Sequence, residues 1–179
     1  MTQPSDLWVF AYGSLLWSPG FEPAERARAR LDGWRRSFCM WSIHYRGTEE
    51  APGLVLALDE DAGASCDGVA LRADPRHRDE VLDGLRSREL VSNAYQERRL
   101  PLRLEDGRTI EAIAYVIRRE HRQYACVDLD TQARTIAAAR GERGPNIDYL
   151  SNTAAGLSDW GIHDPQIEAL LDRTRSLTA

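Results

Sequence analysis

Val9-Phe10-Ala11-Tyr12-Gly13-Ser14-Leu15-Leu16-Trp17 is an apolar run, broken once by Tyr-Gly-Ser, after which apolar residues resume. A run of this length with a Gly-Ser break suits a short buried strand better than a helix. Glycine at 13 opens backbone conformations closed to other residues, φ > 0 among them, and lets a ligand approach the peptide plane. Successive N–H groups around such a turn can converge on one point and hold an anion. The plain reading of the same residues is a strand end with a tight turn, and by themselves they do not separate the two.

Downstream, Ser18-Pro19-Gly20 ends the pattern, and residues 23–30 alternate Ala with Arg or Glu, a composition expected at the surface. From 31 to 45 the chain turns aromatic, with Trp34, Phe38, Met40, Trp41 and Tyr45. In extended geometry Phe38 and Met40 share one face while Cys39, Trp41 and Ile43 share the other, which predicts a strand buried on both sides. Residues 47–53 read as a loop, 54–58 as a strand, 59–63 as a turn and 66–72 as a returning strand. Asp74-Pro75 opens a helix, Asp as N-cap and Pro in the first turn, with Val81, Leu82 and Leu85 as its buried stripe up to about Leu90. Leu100, Leu102 and Leu104 alternate before Asp106-Gly107, a hairpin signal, and the return strand covers 109–117. The last part is helical: Asp130 capping a helix through Arg140 that Gly141 closes, a second over 147–157, and a third opened by Asp164-Pro165. Strands first with one inserted helix, helices last, make an α+β domain around a mainly antiparallel or mixed sheet open to curling toward a barrel. No linker splits the sequence, so residues 1–179 are expected to be one domain.

The composition narrows the chemistry. With 42% hydrophobic and 28% charged residues the chain reads as an ordinary globular protein. Its formal net charge of −5 argues against a nucleic-acid or anionic-membrane partner. All 23 basic side chains are arginine, which excludes a lysine nucleophile, a Schiff base and a P-loop lysine. Cys39, Cys66 and Cys126, odd in number and far apart, form neither a disulfide framework nor a metal knuckle, and a reducing cytoplasm is the expected compartment. The opening Met-Thr-Gln-Pro-Ser-Asp lacks the basic flank and apolar core of a leader, and no run approaches the ~18 apolar residues of a membrane span. His44, His77, His121 and His163 show no metal-ligand spacing, so no metal site is expected. Gly141-Glu142-Arg143-Gly144-Pro145-Asn146 has glycines but no Lys-Ser/Thr ending, and reads as a helix stop followed by a helix start. Glu89 falls where the first helix pattern fades; a carboxylate there can reach over the sheet end, although acidic residues at such positions are usually solvated. Glu97, Glu105 and Glu111 are expected on solvated faces.

Taken together, Phe10-Ala11-Tyr12-Gly13-Ser14-Leu15-Leu16-Trp17, Arg46-Gly47-Thr48 with Pro52-Gly53-Leu54-Val55-Leu56-Ala57-Leu58, Cys66-Asp67-Gly68-Val69-Ala70, Arg88-Glu89 followed by Tyr95, and Gly141-Glu142-Arg143-Gly144-Pro145-Asn146 with Asp148-Tyr149-Leu150 resemble the ChaC family of γ-glutamylcyclotransferases. The blocks run in family order from about Trp8 to Leu171. The resemblance implies a γ-glutamylcyclotransferase-like mixed barrel with flanking and C-terminal helices. It also implies an enzyme that acts on glutathione, without a cofactor, to release 5-oxoproline and cysteinylglycine. It implies that Tyr12, Gly13, Ser14 and Leu15 cradle the γ-glutamyl group and that Glu89 is the catalytic acid/base. Tyr95 and Tyr149 are weaker candidates for lining the pocket. Ser87 departs from the aromatic residue that often precedes the Arg-Glu pair. Two alternatives stay open: a cyclotransferase for other γ-glutamyl peptides or amines, and a non-catalytic γ-glutamyl-binding module, against which the carboxylate of Glu89 speaks.

Overall fold

The computed structural model of the chain describes residues 6–179, so residues 1–5 of the segment read for a leader lie outside the described residues. The chain forms two compact units, one of residues up to 36 together with 58–118, the other of 37–57 and 119–179. Its strands are β1 (Trp8–Ala11), β2 (Glu25–Ser42), β3 (Gly53–Arg72), β4 (Tyr95–Leu104) and β5 (Thr109–Ile117). Its helices are α1 (Arg78–Glu89), α2 (Leu129–Ala138), α3 (Asn146–Asp159) and α4 (Pro165–Thr178).

The strands close a barrel in the order β1-β3-β2-β4-β5. β1 runs antiparallel to β3, with Trp8 opposite Arg72 and Ala11 opposite Val69, and meets β5 in parallel at Val9 and Ile113. β4 and β5 form a long antiparallel hairpin from Tyr95–Ile117 to Arg103–Thr109. It turns at Asp106-Gly107 as the dipeptide predicts, with Gly107 at φ 94. All of β1 is buried, which is why its sequence is a continuous apolar run rather than an alternation. Phe10, Leu58, Leu102, Ile113 and Tyr115 fill the interior. The α1 entry follows expectation: Asp74 accepts from the Arg76 N–H, Pro75 opens a short 3₁₀ turn, and the α-helix then runs from Arg78, burying Leu82 and Leu85.

Two expectations for the strands are corrected. Residues 25–30, expected at the surface, are strand, and within it Ala29 and then Leu31 are buried while Arg30 and Asp32 stay out. Gly33, at φ 85, shifts the parity so that Trp34, Arg36 and Phe38 point inward after it, as at a bulge. The turn expected at 59–63 is absent as well. β3 passes straight through it, because the adjacent β2 gives the backbone a partner that outweighs the local Asp and Gly preferences.

In the second unit α4 packs on α2 and α3. The α2 cap is Asp128, which accepts from Thr131 N–H at 2.8 Å, not Asp130; Asp130 instead pairs with Arg173 at 2.8 Å. Gly141 leads a turn laid along residues 44–46, with Glu142 and Arg143 N–H groups donating to the carbonyls of His44 and Tyr45 at 2.9 Å. A Cβ on Gly141 would stand 2.5 Å from the His44 carbonyl oxygen, so only glycine permits that approach. Asn146 then starts α3 fully buried. Its side chain accepts from Leu54 N–H and donates to Leu54 C=O, both at 2.8 Å, completing β3 as a neighbouring strand would.

Candidate active site

β1 ends at Ala11, and the next residues make one 3₁₀ turn, Ser14–Leu16. Leu16 N–H donates to Gly13 C=O at 2.9 Å and Ser18 N–H to Ser14 C=O at 2.8 Å, folding the segment back on itself. Gly13 sits at φ −143 and ψ −121, so the positive φ entertained from the sequence is not what glycine supplies here. The Tyr12 hydroxyl donates to the Tyr115 carbonyl at 2.7 Å. The Tyr12 carbonyl accepts from Nε of Arg36 at 2.7 Å, and another guanidinium nitrogen of Arg36 reaches the Asp67 carbonyl. Arg36 is nearly buried, inward-facing because of the parity shift at Gly33. The turn is therefore pinned on the tyrosine ring side and on the peptide side.

Glu89 is the last residue of α1, and its side chain keeps 13% of its surface exposed, which removes the solvated-helix reading. Oε1 of Glu89 lies 3.2 Å from Nε of Arg88, whose Nη2 donates to Ser14 Oγ at 2.8 Å and whose Nη1 donates to the Ser18 carbonyl. The carboxylate and the turn are thus joined through one arginine. Ser87, at the position that departs from the family pattern, is exposed.

Behind them stands a second polar chain. Arg86 grips Glu97 with Nε and Nη2 at 3.0 and 2.8 Å, and the Tyr115 hydroxyl donates to Glu97 Oε2 at 3.2 Å. Glu97 is consequently half-buried rather than on a solvated face, and its carboxyl is held below the usual range, chiefly by the Arg86 hydrogen bonds. The Tyr115 phenol is pushed well above its ordinary range by burial first, then by the negative charges of Glu97 and, more weakly, Glu89, so it stays a neutral donor. Tyr95 starts β4, buried, two residues before Glu97 on the same strand face.

Tyr12, Gly13, Ser14, Leu15, Glu89 and Tyr95 all belong to the first unit. Tyr149 belongs to the second, where its hydroxyl accepts from Leu56 N–H at 3.1 Å and its ring meets Phe38 edge-on at 6.0 Å. Sequence reasoning missed Arg36, Glu97, Arg86 and Tyr115. Arg36 left a signal, a charge inside an aromatic strand; the others are joined only by the fold. Among the described residues no three His, Cys, Asp or Glu side chains gather as a metal would require, and no helix is long and apolar enough to cross a membrane. A cavity of about 370 Å³ lies at the other end of β1, around Trp8, where Arg72 and Arg108 both pair with Glu25. Its charges neutralise one another, and none of residues 12–15 lines it.

The mixed barrel with C-terminal helices is the γ-glutamylcyclotransferase fold. A crystal structure of a glutathione-specific γ-glutamyl cyclotransferase from yeast superposes with TM-score 0.86 at 23% identity, covering 96% of each chain. The chain belongs to the ChaC-like protein family, whose model matches residues 7–177. It is 36% identical over 177 residues to the glutathione-specific gamma-glutamylcyclotransferase of Escherichia coli (strain K12), covering 97% of this chain and 74% of that protein. It is 31% identical to glutathione-specific gamma-glutamylcyclotransferase 1 of Rattus norvegicus, covering 97% and 81%.

Proposed function

We propose that this chain is a glutathione-specific γ-glutamylcyclotransferase, residues 1–179 serving as one catalytic domain, with Glu89 as its acid/base. The observation that carries the reading is the shielded carboxylate of Glu89 bound through Arg88 to Ser14 of the turn. A binding module has no need of a proton acceptor fixed in that way.

The α-amine of the γ-glutamyl arm attacks the γ-carbonyl carbon, closing a five-membered lactam while the bond from that carbon to the cysteinyl nitrogen breaks. Nucleophile and electrophile share one tether, so holding the arm folded supplies much of the rate advantage. At neutral pH the amine is mostly ammonium, its pKa being about 8 in model peptides. Glu89 takes the ammonium proton and delivers it to the departing cysteinyl nitrogen; the second proton, shed by the attacking nitrogen as the lactam N–H forms, ends on the released cysteinylglycine amine, so the products together have the atoms of the substrate and no water is consumed. N–H groups of Gly13 to Leu15, the first of a helical turn and so without an intrahelical acceptor, face the α-carboxylate or the oxyanion of the tetrahedral intermediate. Tyr12 shapes the turn, and Tyr95 lines the pocket. The expected compartment is the cytoplasm, where glutathione is the abundant γ-glutamyl compound.

Incubation of the purified protein with glutathione should release 5-oxoproline and cysteinylglycine in equal amounts. Release only from other γ-glutamyl peptides would change the substrate, and binding without release would leave a γ-glutamyl-binding module.

A further inference from the structure

Arg88 touches more than an ion-pair partner. Its Nη2 donates to Ser14 Oγ at 2.8 Å, its Nη1 donates to the Ser18 carbonyl, and its Nε lies 3.2 Å from Glu89 Oε1. A guanidinium presents these donors in one rigid plane, so the side chain fixes both ends of the 14–18 turn and the carboxylate together. Only 18% of the Arg88 side chain is exposed, which limits how far water competes for the fork. A serine hydroxyl has one hydrogen and two lone pairs. When Ser14 accepts from a cation, a lone pair is committed and its hydrogen turns to some other acceptor.

We infer that Arg88 is a positioning residue that makes the Ser14 hydroxyl a donor to the carboxylate of the γ-glutamyl group and holds Oε1 of Glu89 so that Oε2 takes the ammonium proton. The assignment rests on the proposed roles of Glu89 and the turn. It differs from a role in charge balance alone. A lysine would supply the same charge beside Glu89, but as a point charge it cannot bond Ser14, Ser18 and Glu89 in one plane. It also accounts for the placement of Arg88 and Glu89 as neighbours in the last turn of α1: the two side chains leave the helix together, one to the turn and one to the reacting atoms.

The test is a double-mutant cycle over Arg88→Ala and Ser14→Ala, with Arg88→Lys alongside, followed by 5-oxoproline release, glutathione binding by calorimetry and thermal midpoint. Arg88→Ala should raise KM and lower kcat, the combined loss approaching about a hundredfold, as for a misplaced reacting group. Ser14→Ala should add little to the KM of the Arg88→Ala protein, because its donor is already misdirected. Arg88→Lys should restore part of the KM loss and less of kcat. Penalties that multiply, or an Arg88→Lys protein matching wild type in both constants, would overturn the positioning role. If Arg88→Ala does not fold, the same cycle run with Arg88→Lys decides by the same criterion. A wild-type protein that neither turns over nor binds glutathione would overturn the function and the Arg88 role together. Wild-type turnover with a multiplicative cycle would overturn only the latter.

Discussion

The hydroxyl of Tyr12 donates a 2.7 Å hydrogen bond to the backbone carbonyl of Tyr115, across a sequence separation of 103 residues. The acceptor belongs to β5, whose own side chain at that residue bonds Glu97. Tyr115 thus anchors the turn with its backbone and the second carboxylate with its phenol. Tyr12→Phe keeps the ring and deletes only the anchor. Stability should fall by about 1 kcal/mol, the usual worth of such a bond. KM for glutathione should rise more than kcat falls, because the turn is loosened rather than its proton acceptor removed. Urea unfolding with steady-state kinetics checks both halves.

Glu89→Gln preserves size while removing the ability to take up a proton. The kcat should drop by roughly 10²–10⁴-fold, the range for positioned proton transfer. Stability should hardly change, since no buried volume is lost. Glu105→Gln and Glu111→Gln, at exposed positions, serve as controls and should leave kinetics unaltered. Glu97 does not serve as a control, because its carboxylate is committed to Arg86 and Tyr115. Near-normal turnover by a folded Glu89→Gln protein would sink the assignment.

Acid should weaken the first unit through Glu97. Its folded-state carboxyl is held below the unfolded value, first by Arg86, with burial opposing. The sign follows: the contribution is present above the unfolded glutamate value of about 4.3 and is lost as pH falls through the lower folded value. Glu97→Gln should therefore be less stable than wild type at pH 7, with the gap narrowing toward pH 3. Thermal midpoints across that interval measure it. A gap that stays constant with pH would show that the charge is irrelevant there.

In the second unit, Asn146 is the most exposed to substitution in energetic terms because it is the least exposed to water. Asn146→Ala removes both bonds to Leu54 and leaves a buried N–H and C=O unmet, costing about 2–4 kcal/mol. Asn146→Asp retains an acceptor for Leu54 N–H but sets an oxygen against the Leu54 carbonyl, so it should not restore the loss. Chemical denaturation of the pair decides this. A fully stable Asn146→Asp protein would mean that only the acceptor half matters.

What was legible in the sequence was what short stretches decide. The 106–107 turn, the Asp74 and Asp164 caps and the buried β1 each follow from a few adjacent residues, and all appear. The stretch at 59–63 failed because its local turn chemistry is overruled by pairing with β2. Asp128 and Asp130 both suit the start of α2, and only the bond to Thr131 tells them apart. Glu89 and Glu97 show the same limit at the candidate site. Nothing near either residue reveals that Arg88 will bridge to Ser14 or that Tyr115 will meet Glu97, since those partners stand 74 and 18 residues away.

The chain passes between the two units at 36–37, 57–58 and 118–119, so neither unit is one stretch of gene. This has a consequence for how such a protein can be altered by recombination or premature termination. A stop after Arg118 preserves every residue of the first unit, yet it leaves residues 37–57 of the other without Asn146 and Tyr149, whose side chains satisfy the backbone of Leu54 and Leu56. An apolar edge with unmet N–H and C=O groups is a template for aggregation. A chain cut at that point is therefore at a disadvantage before catalysis enters.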